Sequence, residues 1–244
     1  MASAPLNNAW AHDRSIIEAA SWRLASELVR RHPKETRLFR GHPGGGTYDV
    51  LWILGLKDSA LDIRLNRNGT IQVHGRVDNE PVREIETMQW ADYLMADPKT
   101  FLLQLEHAVG WTAPATTPRS TPETLTYRVL AALAAIGTKT IRPISIEQGY
   151  IDSSGYDGGR HPGLNEFSFP DELTHVRDDD FFHKPGYRFW MPYREGKPLV
   201  AIEQSTATVW FTNRPDSLQL MSLYKRLHKE PALVAAEILK KSLA

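Results

Sequence analysis

Side chains able to carry out acid–base or metal chemistry concentrate between about Glu147 and Gly186. Imidazole and carboxylate groups suit Zn²⁺ or Mn²⁺, and a bound metal could activate water for hydrolysis. No HxxxH or HxH pair occurs in this stretch, so the spacing does not favour a metal site, and we expect no metal and no cofactor. A metal-dependent hydrolase or nuclease is the alternative hypothesis, and its candidate ligands are Asp152, Asp157, His161 and His175.

Nucleophilic catalysis has no recognisable motif in this sequence. Cysteine is absent, which excludes a thiol nucleophile and any metal held by thiolates. None of Ser154, Ser168 and Ser205 lies in a GxSxG elbow. Carboxylates are numerous, but nothing selects a pair for glycoside hydrolysis. We therefore predict a protein without catalytic residues.

Two glycine-rich turns, Gly41–Asp49 and Gly155–Gly163, could bring backbone N–H groups close to a ligand. Neither has the Gly-Lys-Ser/Thr ending of a phosphate-binding loop, nor the GxGxxG spacing that opens a helix. The favoured interpretation is a tight strand connection that uses positive φ, and a loop facing a ligand is the alternative.

Aromatic residues offer a second kind of site. Trp52, Trp190 and Trp210 fall in predicted strands, where the default expectation is core packing with the indole N–H satisfied. The alternative is an aromatic surface for a peptide, because amphipathic aromatic side chains recur at protein interfaces. Four phenylalanines within 147–186 are expected to hold that stretch onto the body of the protein or to offer it to a partner: Phe167, Phe169, Phe181 and Phe182.

The elements that must position these residues follow from hydrophobic periodicity. In the first half the pattern predicts a helix over His12–His32 and another over about Met88–Val109, interrupted or restarted at Pro98. The turn Asn66–Gly69 indicates a hairpin. The predicted strands are Arg37–His42, Tyr48–Gly55, Asp62–Asn66 and Ile71–His74.

The second half repeats this order of elements. A helix begins near Thr121, with Pro122 suited to its first turn, and runs to Gly137. A closing helical region spans about Asp216–Leu243, interrupted at Pro231. The predicted strands are Thr140–Ile146, Tyr187–Tyr193, Leu199–Gln204 and Thr208–Thr212.

The sequence thus predicts an α+β fold made of a tandem repeat of helix–antiparallel strands–helix units. The first unit covers 1–111 and the second 123–244, with an inserted loop over about 147–186. Residues 112–122, rich in Pro and Thr, are predicted to link them.

Composition narrows the function classes further. Of 244 residues 41% are hydrophobic and 24% charged, which is typical of a folded globular protein. Lys+Arg and Asp+Glu both number 29, so the overall charge gives no sign of a nucleic-acid binder or of an acidic-membrane binder. No signal peptide and no apolar run long enough for a membrane span is seen. We expect a soluble, cytoplasmic protein.

Several segments resemble a known family. Ser21–Pro33 (SWRLASELVRRHP) and His42–Leu51 (HPGGGTYDVL) are similar to the actinobacterial TY-Chap group, within the type III secretion chaperone and YbjN-like superfamily of peptide-binding chaperones, and its second family in particular. The likeness is most specific over about residues 20–110. Further similar segments are Asn66–Gly69, the Trp90-to-Leu105 helix with Asp97-Pro98, and Gly149–Tyr156.

The resemblance implies a helix–sheet–helix fold that holds a peptide or protein client and has no catalytic residues. We therefore expect a non-enzymatic binding module, a chaperone or adaptor in a bacterial conflict or secretion setting, with a toxin immunity protein as a further alternative. Binding would use an exposed sheet face or edge. The candidate contacts are His42, Gly44, Gly45, Gly46, Tyr48, Trp52, Trp190 and Trp210.

Overall fold

The computed structural model contains two compact units, Met1–Arg119 and Ser120–Ala244. The boundary between them lies within residues 112–122. Each unit combines helices with antiparallel strands, which confirms the α+β class, while the tandem repeat stays a prediction. The structure describes residues 14–32, 37–41, 48–56, 59–66, 71–77, 80–81, 85–87, 98–108, 120–139, 144–151, 162–170, 187–212 and 214–243.

The first described element of the first unit is helix α1, Arg14–Arg31. Leu24 and Leu28 lie four residues apart on the same face of α1, and both are fully buried, as is Trp22. The Trp22 indole donates from Nε1 to Glu18 Oε1 over 2.9 Å, one helical turn earlier, so its polar edge is satisfied inside the core.

An antiparallel sheet follows α1, in the order β1-β2-β3-β4-β5, with β6 also paired to β4. The predicted hairpin is present as the β3–β4 pair, in which Leu65 lies opposite Ile71. The strands are β1 (Arg37–Gly41), β2 (Tyr48–Leu56), β3 (Ser59–Asn66), β4 (Ile71–Val77), β5 (Glu80–Pro81) and β6 (Ile85–Thr87).

Helix α2, Pro98–Ala108, is joined to the end of α1 by a buried ionic cluster. Arg31 donates from Nε and Nη2 to the two carboxylate oxygens of Glu106, at 2.7 Å each. His32 Nε2 lies 2.7 Å from Glu106 Oε1. Burial alone would raise the pKa of Glu106, but its hydrogen bonds with Arg31 and His32 outweigh burial and lower that pKa below its ordinary value. The cluster thus holds two helices together through one ionised carboxylate.

The second unit begins with helix α3, Pro122–Gly137, whose start agrees with the predicted one. The Thr121 hydroxyl accepts from Thr124 N, Thr124 Oγ1 accepts from Thr121 N, and Pro122 occupies the first turn. This reciprocal cap satisfies backbone donors that a helix start otherwise leaves unpaired.

The second sheet has the order β12-β11-β10-β8-β7, with β9 paired to β8, and is antiparallel throughout the described pairs. All four residues of β10 are buried, so this central strand is covered on both faces. The strands are β7 (Ser145–Ile151), β8 (Tyr187–Arg194), β9 (Lys197–Pro198), β10 (Val200–Glu203), β11 (Thr208–Phe211) and β12 (Ser217–Gln219).

The predicted bounds of one strand and of the closing helical region in this unit were wrong. The strand predicted over Thr140–Ile146 begins at Ser145. Strand β7 continues to Ile151, five residues beyond the predicted end, because its whole length pairs with β8. The closing region is not helical from Asp216: its first part forms β12 against β11, and a 3₁₀ turn follows over Leu220–Leu223. Helices α4 (Tyr224–Lys229) and α5 (Pro231–Ser242) then flank the predicted break at Pro231.

Part of the predicted insertion is also ordered against the sheet. Residues Pro162–Glu166 form a 3₁₀ turn, and Phe167 makes an antiparallel backbone bridge with Thr212. Phe167 and Phe169 therefore hold this stretch onto the body of the unit, as predicted, while Phe181 and Phe182 lie outside the described residues.

Candidate functional site

The predicted site residues of the first unit lie in or before strand β2. His42, Gly44, Gly45 and Gly46 fall outside the described residues. Tyr48 begins β2 opposite Asn66, and Trp52 lies in the middle of that strand between Arg40 and Ile63. Tyr48 and Trp52 thus lie in the same strand, with an irregularity in the β2–β3 register between Tyr48 and Val50 separating them.

Trp190 is a core residue of the second unit. Its side chain is fully buried beneath α3, where its ring meets that of Tyr127 edge-on at 5.8 Å. Its Nε1 donates to Gln204 Oε1 over 2.9 Å, and Gln204 in turn donates from Nε2 to Glu123 Oε1 over 2.7 Å. This matches the default expectation for a strand tryptophan, and in this conformation Trp190 offers no surface to a peptide.

Trp210 differs from Trp190 in both its burial and its hydrogen bonding. It lies opposite Ala201 in the β10–β11 pair, on the sheet face away from Trp190, and is only half-buried. Its ring meets that of Phe169 edge-on at 5.6 Å. The indole Nε1 is buried yet has no hydrogen-bond partner among the residues that the structure describes. An unpaired buried donor is unfavourable, so this N–H is available for an acceptor.

The face that carries Trp210 is aromatic and apolar. Alternation along β8 points Phe189, Met191 and Tyr193 away from the helices, and they cluster with Ala201 of β10. Leu164 of the 3₁₀ turn and Phe167, which directly follows that turn, belong to the same cluster. We call the surface made by Phe189, Met191, Tyr193, Ala201 and Trp210 the aromatic face.

One end of the aromatic face is acidic. Tyr193 is buried near the carboxylates of Glu147 on β7 and Glu166 in the 3₁₀ turn, both of which are exposed. Burial, followed by these two negative charges, raises the pKa of Tyr193 to about 12. Tyr193 is therefore a neutral phenol at physiological pH, unsuited to act as a base.

The buried carboxylate of Glu203 accepts hydrogen bonds from the hairpin that joins β10 to β11. Its Oε1 accepts from the backbone N and hydroxyl of Ser205 at 2.8 and 2.6 Å. Its Oε2 accepts from Thr206 N at 2.8 Å and from the Thr206 hydroxyl. Ala207 ends this turn with a positive φ of 56° and a fully buried side chain. Glu203 thus stabilises a turn, and each of its carboxylate oxygens already accepts two hydrogen bonds.

The candidate metal ligands Asp152, Asp157, His161 and His175 lie outside the described residues. Within the described part of the chain, no group of three His, Asp or Glu side chains is arranged to hold a metal ion. The same part contains no helix long and apolar enough to span a membrane.

Sequence reasoning missed most of the aromatic face. The alternation Phe189-x-Met191-x-Tyr193 predicts one apolar side of β8, but Trp190 and Pro192 make the other side apolar as well, which hides the pattern. The pair Phe167 and Phe169, separated by one serine, is the sequence signal that points to an extended segment with one apolar side.

Comparison with known proteins agrees with the resemblance drawn from the sequence. A family model described as TY-Chap2, T3SS (YopN, CesT) and YbjN peptide-binding chaperone 2, matches residues 19–244. No curated protein and no solved structure matches the chain significantly. Because the family match covers both units almost completely, the chain belongs to the TY-Chap2 family of peptide-binding chaperones.

Proposed function

We propose that this protein is a non-enzymatic module that binds an extended peptide, or an extended part of a protein client, on the aromatic face of its second unit. The observation that carries the proposal is the half-buried Trp210, whose indole N–H lacks an acceptor among the described residues at the edge of an apolar cluster. Apolar pockets beside an unsatisfied donor suit a peptide, which brings both side chains and backbone carbonyls.

Side-chain pockets and strand addition are both consistent with this geometry. Among the described pairs, β7 and β12 each pair on one side only, so each presents an edge of the second sheet. Sheet edges offer unpaired N–H and C=O groups to a further strand. In the first unit, Tyr48, Trp52 and the turn that holds His42 and Gly44–Gly46 are the corresponding proposed contacts.

The proposal also includes a cellular role for the binding module. The family description names type III secretion and YbjN chaperones, so we propose a cytoplasmic client-binding role in bacterial secretion or conflict. One dominant, stoichiometric partner in affinity capture from the native lysate would favour a dedicated chaperone. Many weakly bound peptides that share a pattern would favour a general chaperone.

The test of the binding surface uses a library of synthetic peptides and the full-length chain. Trp210→Ala should reduce the affinity of every peptide that binds by at least about tenfold, because large aromatic side chains dominate binding at such surfaces. Tyr224→Ala is the matched control, since Tyr224 is an exposed aromatic residue on α4, outside the aromatic face. Both variants should keep their helical circular dichroism.

Unchanged affinity in a folded Trp210→Ala variant would move the site away from the aromatic face. If Trp52→Ala then abolished binding, the first unit would hold the client. Failure of the native chain to bind any peptide would contradict the proposed function itself.

A further inference from the structure

The aromatic face is covered by a short piece of the same chain. Residues Pro162–Pro170, here called the FSF segment, lie along it with Leu164 fully buried and Phe167 almost so. Phe169 reaches the middle of the face: its ring centroid is 4.9 Å from that of Phe189 and 5.6 Å from that of Trp210. The chain therefore covers its own candidate binding surface.

The FSF segment is seated as an extended peptide would be. Phe167 is buried, Ser168 is exposed and Phe169 is again directed inward, which is the alternation of a strand lying on a surface. The backbone bridge between Phe167 and Thr212 adds antiparallel strand pairing. The two phenylalanine rings also contact each other, with centroids 5.9 Å apart. Side-chain pockets combined with backbone pairing are the two ingredients of peptide recognition by a sheet.

The fit is incomplete at one point. Trp210 Nε1 is buried beside Phe169 but meets no acceptor among the described residues. A phenylalanine ring fills the apolar space and provides no oxygen at this donor. A ligand that placed a backbone carbonyl or a side-chain oxygen there would satisfy a hydrogen bond that the FSF segment leaves unmade.

We propose that the FSF segment is a built-in substitute for the client, and that the client is an extended segment with two aromatic side chains at positions i and i+2. This inference rests on the proposed function and specifies its ligand. Client and FSF segment compete for the same apolar contacts with Phe189, Met191 and Trp210. Because the FSF segment is tethered, it competes at a high effective concentration, so only a peptide with an additional contact displaces it.

The experiment uses a fluorescent copy of residues 163–170, Gly-Leu-Asn-Glu-Phe-Ser-Phe-Pro, added in trans to the full-length chain. Its affinity is measured by fluorescence anisotropy for the native chain and for Phe169→Ala. Removal of the tethered ring vacates its place, so the variant should bind the octapeptide at least tenfold more tightly than the native chain. An octapeptide with both phenylalanines replaced by serine should bind neither. Phe169→Ala combined with Trp210→Ala should lose the gain.

Two further measurements check that the variant is folded and separate this inference from the proposed function. Thermal unfolding verifies that Phe169→Ala is folded, and Phe169→Leu, which keeps part of the buried volume, replaces it if it is not. Equal affinity of the octapeptide for native chain and variant, or no binding to either, overturns the inference. If library peptides still bind the native chain in that case, the proposed function survives and only the built-in substitute is lost. If they do not, both fail.

Discussion

The ionisation of Tyr193 depends on the packing and charge of the aromatic face. Its ring packs in the apolar cluster, its hydroxyl lies 3.8 Å from Met191 Sδ, and two carboxylates lie nearby on different elements. Ionisation of this phenol would place a negative charge in an apolar and already acidic environment. The folded protein therefore favours the neutral form more strongly than the unfolded chain does.

We expect this preference to appear as an alkaline loss of stability. A group whose pKa is raised on folding, here from 10.0 to about 12, contributes stability that is fully present below pH 10 and is lost as the pH rises through 12. The loss should reach about 2 kcal/mol in the free energy of unfolding. Tyr193→Phe should remove it. Urea unfolding between pH 9 and pH 12 measures the difference.

Tyr224→Phe is the control for Tyr193→Phe, because it deletes the hydroxyl of an exposed tyrosine in the same unit. Its pH profile should follow that of the native chain. A Tyr193→Phe variant with the native alkaline profile would show that folding does not raise the pKa of Tyr193.

Residue types alone could not separate Trp190 from Trp210. Both lie in strands with apolar neighbours, and the sequence offers each the same two roles. Strand pairing determines which role each residue takes. Trp190 lies opposite Ile202 and faces α3, whereas Trp210 lies opposite Ala201 and faces away from α3. That difference depends on the register between strands, which local sequence does not encode.

At the scale of elements, the Glu106 cluster makes the attachment of α2 to α1 dependent on one charge. The carboxylate accepts from both Arg31 and His32, and it is almost fully buried. Removal of one partner from a buried ion pair leaves the others uncompensated, which costs far more than the loss of an exposed pair.

Glu106→Gln should therefore destabilise the first unit by about 3 kcal/mol at neutral pH. Because folding lowers the pKa of Glu106, the stability it contributes is present above the ordinary carboxyl pKa and is lost as the pH falls through the folded value. The gap between native chain and variant should thus narrow in acid. Urea unfolding at neutral pH and below pH 4.5 tests this.

Glu27→Gln provides the comparison, since Glu27 pairs with Arg30 at 2.7 Å on the half-buried side of α1. Its cost should stay below about 1 kcal/mol. Equal effects of the two substitutions would mean that the Glu106 cluster contributes no more than a surface pair.

Helix ends were predictable at this scale, and short strands were not. Thr121 and Pro122 carry the chemistry of a helix start, so the first residue of α3 follows from the sequence. Strand β12 has three residues and exists through its pairing with β11, a contact that no local pattern announces. The same holds for β7, whose Glu147, Gln148 and Gly149 have little intrinsic strand preference and depend on β8.

For the whole molecule, every strand pairing described in the second unit joins two segments of that same unit. The sheet from β7 to β12, the helices α3 to α5 and the FSF segment all fall within residues 120–244. Trp190 packs against Tyr127 and donates its indole hydrogen bond to Gln204, and both partners belong to the same unit. A core that is complete in one stretch of chain can fold alone.

A fragment of residues 120–244 should accordingly unfold in one cooperative thermal transition. The contrasting fragment, residues 140–244, lacks α3 and uncovers the Trp190 side of the sheet, so it should show no cooperative transition and should bind a hydrophobic dye. Circular dichroism melting compares the two. Cooperative unfolding of both fragments would contradict the role given to α3.

Ala207 bears on how this sequence can change over time. Its left-handed backbone costs an alanine about 1 kcal/mol, and glycine would relieve that cost. Glycine would also give up a buried methyl group worth about 0.8 kcal/mol and lose about 0.5 kcal/mol through its greater freedom when unfolded. These contributions nearly cancel, so either residue is compatible with the hairpin, whose shape Glu203 holds through its hydrogen bonds.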